Sequence, residues 1–261
     1  MRVYHFVNKE YGLEDLRRRR LKIATLKELN DPFEFYGVDL SNEDIRRGFK
    51  KMKDELSLTH GLLCFSQNWH NPVQWSHYAD KHRGLCLGFD VPFEVSTESF
   101  GPVHYSRKRF QVSPEQIINY RQLNHETLRK LFFTKYAHWK YENEVRTFVT
   151  LDEKDTEKDM YFADFSDKLK LAQVIVGAES STTREDISCA LGDLASTIEA
   201  FKARLAFKTF RVVRQRNQKL WAQHRVQQTA RDSAPFSNSF LHLDIFLAGR
   251  LRRPRPSAGI P

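Results

Sequence analysis

The chain has 261 residues, of which 40% are hydrophobic and 29% charged, a composition typical of a globular protein with one sizeable core. The three cysteines, Cys64, Cys86 and Cys189, are too few and too widely spaced for a disulfide framework or a CxxC metal or redox motif. No apolar run approaches the roughly 20 residues that cross a bilayer, so we expect a soluble, unexported, cytoplasmic protein without a membrane partner.

The net charge of +9 is concentrated at the C-terminal end. Residues 211–261 carry nine arginines and one lysine against two aspartates, a net charge of +8 that leaves +1 for the rest of the chain. Because this end is rich in Arg, Gln, Ser and Pro, residues 213–261 are predicted to be a basic, poorly ordered extension of a folded domain at 1–212. Such a tail makes a non-catalytic nucleic-acid-binding module one candidate function.

The fold is predicted from short apolar or alternating segments with β-branched and aromatic residues, which are typical of strands. These segments are residues 3–7, 22–26, 61–66, 84–90, 102–106, 145–151, 160–165, 171–178 and 204–212. Helices are predicted at 11–19, 42–55, 72–81 and 114–136, with a fifth that starts at Thr182 in a capping box with Glu185. Strands and helices mix without βαβ alternation, which predicts a single α+β domain with a mixed, mostly antiparallel sheet.

The first segment with chemical potential is the N-terminal strand, "YHFV". Alternation places His5 on the face opposite Tyr4 and Phe6, so its ring faces either solvent or a cleft. The following run, Arg17–Arg20, could bind phosphates, although such a run more often forms a solvated helix end.

The second segment is the predicted helix in "NPVQWSHYADKH". Trp75, Tyr78 and His82 are spaced i, i+3 and i+7 and are predicted to share one face, against either the core or one wall of a cleft. His77 and His82 lie roughly 140° apart around a helix, so they do not form a zinc-binding pair, and no metal is expected here.

The third segment is "WKYENEVRTFV", where Glu142, Glu144 and Arg146 are predicted to project from one face of a strand. They either neutralise one another as a structural network or place a carboxylate in a pocket that orients a hydroxyl or nucleophile. With Asp31 and Glu34, the same carboxylates would also suit a metal-dependent nuclease. The chain has no GxxxxGK[ST], GxGxxG or GxSxG motif, which argues against P-loop ATPases, dinucleotide-binding Rossmann domains and common serine hydrolases.

Five segments in chain order resemble an uncharacterised bacterial family of unknown function. They are "YHF", "RLKIATLKELNDPFEF", "GLLCFSQN", "WSHYADKHRGLCLGFD" and "WKYENEVR". The resemblance covers roughly residues 3–212 and does not extend into the basic tail.

The order of a strand with a histidine, a helix, a further strand, an aromatic helix and a late strand with a glutamate also resembles the core of ADP-ribosyltransferases. This resemblance implies that NAD is the substrate, held by His5 and by Tyr78 or Trp75. It implies that Glu144 or Glu142 engages the nicotinamide ribose as the bond to nicotinamide breaks.

The same resemblance implies a wider NAD-binding set and a biological setting. Ser66, His82 and either Arg20 or Arg146 are expected to contact NAD, the arginine at its pyrophosphate. Val7 departs from the pattern of ADP-ribosyltransferases, which usually have Thr or Gly after the histidine motif. Bacterial relatives of this fold act as toxins or in phage defence, so the expected target is a nucleic acid or a protein.

Overall fold

The computed structural model describes residues 1–98 and 100–224. Its strands are β1 (Arg2–Val7), β2 (Arg20–Thr25), β3 (His60–Ser66), β4 (Leu85–Asp90), β5 (Phe100–Pro102), β6 (His104–Ser106), β7 (Thr134–Tyr136), β8 (Glu144–Thr150), β9 (Lys154–Asp155), β10 (Met160–Asp164), β11 (Lys170–Val176), β12 (Glu199–Leu205) and β13 (Val212–Arg214). Its α-helices are α1 (Lys9–Arg18), α2 (Glu43–Leu56), α3 (Pro72–Tyr78), α4 (Phe93–Glu98), α5 (Pro114–Ile118), α6 (His125–Phe132) and α7 (Arg184–Leu191). Short 3-10 helices occur at Tyr120–Gln122, Ala137–Glu142, Gly192–Ser196 and Gln218–Leu220.

Eleven of these strands form one sheet in the order β13-β12-β11-β4-β1-β3-β2-β10-β9, with β8 paired to β3 and β5 paired to β8. Only β11 and β12 run parallel within it, and β6 and β7 form a separate parallel pair. The fold is therefore α+β with a mixed, mostly antiparallel sheet, as the sequence predicts.

The sheet is divided between β1 and β3, and this division positions the site. β1 pairs with β4 over all six of its residues, and β3 pairs with β8 over all seven. Between β1 and β3, by contrast, the register contains the single pair Tyr4 and Ser66. Beyond that pair, the side chain of His5 reaches across to the backbone carbonyl of Cys64, with Nδ1 3.2 Å from the oxygen. The two halves of the sheet thus separate around a polar side chain.

Helices cover the sheet in three apolar clusters. Leu16 of α1 and Ile187 of α7 pack with the buried residues of β4 and β11. Phe49 of α2 and Ile117 of α5 pack with Leu62 of β3. Trp75 of α3 packs in the third cluster with Cys86, Ile175 and Phe201. These clusters leave the division between β1 and β3 lined by polar and aromatic groups rather than filled.

Two predicted elements are wrong in their bounds because local turns interrupt them. The helix predicted at 114–136 ends at Ile118, and Asn124 then caps a new helix, α6, by accepting a hydrogen bond from the Thr127 N–H. The same stretch closes with strand β7. The strand predicted at 204–212 is instead the end of β12 and the start of β13, which pair as antiparallel neighbours across the intervening turn.

Helix α3 ends at Tyr78 rather than at the predicted residue 81. Asp80, Lys81 and His82 all have left-handed backbone angles, with φ of 43°, 53° and 69°. The turn brings Gly84 so close to β1 that a Cβ there would lie 2.1 Å from the Val7 carbonyl oxygen. His82 is therefore not on the helix face predicted for it. Helix α7 likewise starts later than predicted, at Arg184 rather than Thr182, with Thr183 and Asp186 as its capping box.

Part of the predicted basic extension, 213–261, is described. Residues 213–214 belong to β13, and the Trp221 indole N–H donates to the Thr182 carbonyl at 3.0 Å. Residues 225–261 lie outside the described residues, and the predicted domain boundary at 212 stays a prediction. In the part of the chain that the structure describes, no helix combines the length and apolar character needed to cross a membrane.

Candidate functional site

A cavity of about 200 Å³ opens where β1 and β3 separate. Its walls come from β1, β3, α3, the turns at residues 28–34 and the segment 135–146. Sites that enclose a whole drug-sized ligand typically measure roughly 300–1,000 Å³. This cavity is therefore smaller than a site that encloses a whole ligand of that size.

Most of the residues predicted for a site converge on this cavity. The predicted residues that line it are His5, Ser66, Tyr78, Glu142, Glu144 and Arg146. Those that do not line it are Arg20, Trp75 and His82. The convergence joins β1, β3, α3 and β8, which are far apart in sequence.

Trp75 and His82 lie behind the cavity wall, in or beside the core. Trp75 is fully buried, its indole N–H donates to the Trp69 carbonyl at 2.6 Å, and its ring meets Phe6 edge to face at 5.3 Å. His82 stacks near Trp75 with 6.2 Å between ring centroids. Trp75 thus packs as a core residue with a satisfied N–H group.

Arg20 lies at the start of β2, away from the cavity. Its Nη1 atom is 2.7 Å from a carboxylate oxygen of Asp155, and its guanidinium lies 3.7 Å from the ring centroid of Phe162. These contacts hold the side chain against β9 and β10. A pyrophosphate in the cavity would not meet Arg20 there.

Arg146 is the centre of a buried ionic network below the cavity. Its side chain is 1% exposed, and Nε and Nη2 donate to the two oxygens of Glu144 at 2.8 and 2.9 Å. Nη1 donates to Glu34 at 2.8 Å and to the Phe132 carbonyl at 3.1 Å. A guanidinium bound in this bidentate manner is fixed in place and is occupied by the protein's own acceptors.

Lys135 completes the network and was not predicted from the sequence. Its Nζ atom donates to Glu142 at 2.6 Å and to Glu144 at 3.2 Å, and it lies 3.4 Å from Glu34. The same atom is 4.9 Å from the ring centroid of Trp139, which also lines the cavity. Three carboxylates thus face two cations, and the network carries a formal charge of −1.

The two late glutamates differ in their surroundings. Burial alone would raise the pKa of Glu144, but Arg146 and Lys135 override it and lower that pKa to about 2. At Glu142, burial prevails over the nearby Lys135 and raises the pKa above its ordinary value. Environments that push the pKa values of two adjacent carboxyl groups apart are typical of sites where the two have different roles.

Glu142 is held from both its backbone and its side chain. Its carbonyl oxygen accepts from Ser66 Oγ at 2.6 Å and from Gln74 Nε2 at 2.5 Å. Its carboxylate accepts from the hydroxyl of Tyr78 and from Lys135. Burial raises the pKa of Tyr78, so the hydroxyl stays protonated and remains a donor. The carboxylate is therefore presented in one orientation before any ligand arrives.

His5 closes the opposite side of the cavity. Burial lowers the pKa of its ring, which favours the neutral form, and Nδ1 must carry the proton to donate to the Cys64 carbonyl. Nε2 is then left as a hydrogen-bond acceptor. A neutral acceptor at this position suits a hydroxyl group of a ligand.

The carboxylates proposed for a metal-dependent nuclease are divided between other partners. Asp31 accepts the Phe33 backbone N–H at 2.9 Å, and Glu34 pairs with Arg146. Among the residues that the structure describes, no group of three or more His, Cys, Asp or Glu side chains is arranged to hold a metal ion.

The most informative residues missed from sequence are Lys135, Gln74 and Trp139. For Lys135 and Trp139 the one visible signal is the aromatic density of "TKYAHWKYENEVR", where a lysine and a tryptophan precede the glutamates. The helix predicted at 114–136 includes Lys135, so its place in the site was not recognised. The strand that carries it, β7, is only three residues long and gives no clear pattern in the sequence.

A protein-family model described as a protein of unknown function (DUF2971) matches residues 74–147. The match begins within α3 and includes the whole segment that carries Lys135, both glutamates and Arg146. It confirms the predicted resemblance to a family of unknown function over that range. No curated protein and no solved structure matches the chain. The resemblance to ADP-ribosyltransferases stays a prediction.

Proposed function

We propose that the protein is an NAD-dependent ADP-ribosyltransferase-like enzyme whose cavity takes the nicotinamide ring and the adjoining ribose of NAD. The observation that carries this proposal is the convergence of His5, Tyr78, Glu142 and Glu144 on one cavity. These are the residue types that the resemblance assigns to NAD binding and catalysis, and they come from separate elements of the fold.

The charge and lining of the cavity suit this ligand. The nicotinamide ring of NAD is a cation, and cleavage of its ribosyl bond passes through an oxocarbenium-like state that is also positive. A buried network with a formal charge of −1 favours both, and it favours them more strongly than in water because the surroundings are of low dielectric. Tyr4, Phe6 and Trp139 in the lining supply aromatic surface for the ring.

Glu142 is the carboxylate assigned to the ribose. Both oxygens of Glu144 are engaged by Arg146, and one also accepts from Lys135. Glu142 accepts one hydrogen bond at each oxygen, from Tyr78 and from Lys135, and so has more free acceptor capacity for a hydroxyl group. Glu144 and Arg146 then act as positioning residues that fix Lys135 and, through it, Glu142.

The reaction follows from these positions. The bond between ribose C1′ and the nicotinamide nitrogen breaks, and its electron pair neutralises the ring as nicotinamide leaves. An acceptor nucleophile supplies the new electron pair to C1′ and loses its proton. Glu142 stabilises the positive charge that develops on the ribose, and the enclosed cavity limits the access of water. An activity of this kind would serve a bacterial toxin or a phage-defence system that modifies a nucleic acid or a protein.

Nicotinamide release by the full chain tests the proposal directly. Purified protein is incubated with NAD and with RNA, DNA or protein acceptors, and released nicotinamide and labelled acceptor are measured. Glu142→Gln should lower the rate about 10²- to 10³-fold, as removal of one preorganised transition-state contact does elsewhere. Glu126→Gln, at an exposed glutamate paired with Lys130, is the matched control and should keep the wild-type rate.

Two results would count against the proposal. One is an absence of both nicotinamide release and acceptor modification in the wild-type protein. The other is equal rates for wild type and Glu142→Gln. Cleavage of nucleic acid that stops when a chelator is added would instead favour the metal-dependent nuclease.

A further inference from the structure

A second cavity, of about 260 Å³, lies beside the first and shares Lys135 with it as a wall. We call it the basic groove. It is lined by Phe33, Tyr36, Gly37, residues 106–109 and β7. The proposed NAD chemistry does not use this groove.

The groove has an unbalanced positive charge. Arg107, Lys108 and Arg109 are all exposed, and none of them forms an ion pair within the part of the chain that the structure describes. Lys135 also lines the groove, but its Nζ atom already contacts Glu34, Glu142 and Glu144, so residues 107–109 carry the unbalanced charge. The described lining of the groove contains no carboxylate. Asp39 acts on Arg109 through space, but its own oxygens accept from Ser41 and Gln111.

The backbone holds this basic loop in place. The Lys108 N–H donates to Ser106 Oγ at 3.1 Å, and the Phe110 N–H donates to the Gly37 carbonyl at 2.9 Å. Gly37 packs so closely on β7 that a Cβ there would lie 2.9 Å from the Thr134 methyl group. The three cations are therefore anchored at both ends of their loop, which reduces the entropy lost when they bind a ligand.

Exposed aromatic rings stand next to these cations. Phe33 is 61% exposed and Tyr136 is 48% exposed, which is unusual for large rings in a concave surface. The Arg109 guanidinium lies over the Phe33 ring, 5.8 Å from its centroid, and Tyr136 stacks on His138 with 4.6 Å between ring centroids, so each ring has one occupied face. Phosphate groups bind to such cations and nucleobases stack on such rings.

We propose that the basic groove binds a phosphorylated nucleotide, with its phosphates at Arg107, Lys108 and Arg109 and its base against Phe33 or Tyr136. The first cavity cannot supply the phosphate contacts, because Arg20 lies outside it and Arg146 is occupied by Glu144 and Glu34. The nucleotide has two sources that share this chemistry, the ADP portion of a dinucleotide and a unit of a single-stranded nucleic acid. Nucleotide binding by the groove does not depend on the proposed function. Only the identification of that nucleotide as part of NAD, or as part of the acceptor of ADP-ribose, rests on it.

Calorimetric titration of the full chain with ADP, adenosine and a single-stranded oligonucleotide tests the groove. ADP should bind about tenfold or more tightly than adenosine, because charge-assisted hydrogen bonds to phosphate are lost with the latter. The triple variant Arg107→Ala, Lys108→Ala, Arg109→Ala should weaken ADP about tenfold or more by the same reasoning. Phe33→Ala should weaken ADP and adenosine alike, since it removes only stacking.

The matched control removes three exposed lysines from another surface, in the variant Lys27→Ala, Lys50→Ala, Lys51→Ala. These lysines line a third concave surface that also contains Asp54 and Glu55, so their removal takes the same charge from a site with carboxylates. The control should bind all three ligands as the wild type does. Circular dichroism of both triple variants checks that each is folded.

The outcomes separate the sources and the hypotheses. A weaker affinity of the groove variant for ADP alone indicates the dinucleotide, and a weaker affinity for the oligonucleotide alone indicates the acceptor strand. If the groove variant binds ADP and the oligonucleotide as tightly as the wild type does, the proposed nucleotide site in the groove is refuted, even when nicotinamide release persists. Binding at the groove without any nicotinamide release in wild type leaves this inference standing and refutes the proposed enzyme.

Discussion

The two cavities share Lys135 but treat charge in opposite ways. In the first, Glu34, Glu142 and Glu144 are buried and every one contacts Lys135 or Arg146 within 3.4 Å. In the basic groove, the three cations of residues 107–109 are exposed and have no carboxylate partner among the described residues. Removing a charge that is paired in the native state should mainly change stability. Removing a charge without an ion-pair partner should mainly change ligand binding.

This comparison predicts where substitutions will be costly. A buried ion costs several kcal/mol to desolvate, and its partner in the network compensates for that cost only while it is present. An exposed cation loses little hydration on folding, so its removal changes little in the native state. The four predictions below test that contrast, starting with the largest expected effect.

Arg146→Met should lower the free energy of unfolding by about 3–5 kcal/mol, because it leaves Glu144 and Glu34 buried with one cation fewer. Denaturant unfolding measures this value. Arg214→Met is the control, since Arg214 pairs with Glu199 at the surface, with side-chain exposures of 47% and 43%. It should cost no more than about 1 kcal/mol. Equal costs for the two variants would contradict the claim that the buried network is structural.

Acid should weaken the fold through Glu144. Its folded pKa of about 2 lies below the ordinary 4.5, so the stabilisation is complete above pH 4.5 and is lost as the pH falls towards 2. The difference corresponds to about 3 kcal/mol. Unfolding measured from pH 6 to pH 3 should show about 2 kcal/mol of this loss in the wild type, and the rest follows below pH 3. Glu144→Gln should be less stable at pH 6 but should show a smaller dependence on pH, and an unchanged slope would argue against an ionised Glu144.

The sequence predicted which strands and helices line the first cavity better than it predicted which side chains pair there. Alternation in β1 and β8 placed His5 and Glu144 on strands that the sheet brings together. Glu142, predicted on the same strand as Glu144, instead ends the 3-10 helix that precedes β8. Which glutamate stays available was not predictable, because that depends on Lys135, which reaches both glutamates from β7. The periodicity that suggested a long helix concealed β7.

The basic groove was not predictable at all. Its lining combines residues 33–37, 106–109 and 134–136, which meet only in the folded chain. The short run Arg107–Arg109 is less conspicuous in the sequence than Arg17–Arg20 or the basic tail. Run length was a poor guide here, because Arg18, Arg19 and Arg20 have carboxylate partners in the structure and the shorter run has none that the structure describes.

Asp15→Asn tests whether a buried charge without a partner lowers stability. Asp15 is a buried carboxylate that has no ion-pair partner within the described residues. Asp15 is 7% exposed, and burial, with a smaller effect of Glu14, raises its pKa to about 7. Its stabilising contribution is therefore complete below pH 3.8 and is lost as the pH rises through 7. At pH 8 the variant should be more stable by about 2 kcal/mol, about half of what full linkage gives, since an amide also needs partners. At pH 4 the two proteins should be nearly equal, and a gain that persists there would show that charge is not the cause.

The groove variant Arg107→Ala, Lys108→Ala, Arg109→Ala should change the free energy of unfolding by no more than about 0.5 kcal/mol, as is usual for exposed substitutions. Three neighbouring like charges repel one another, so a small gain at low salt is expected, and it should vanish at high salt because screening removes the repulsion. Unfolding at two salt concentrations measures both effects. A loss comparable to that of Arg146→Met would mean that the three cations have partners in the folded chain, and the contrast between the cavities would then fail. An unchanged free energy of unfolding combined with weaker nucleotide binding would show that these three charges serve ligand binding rather than stability.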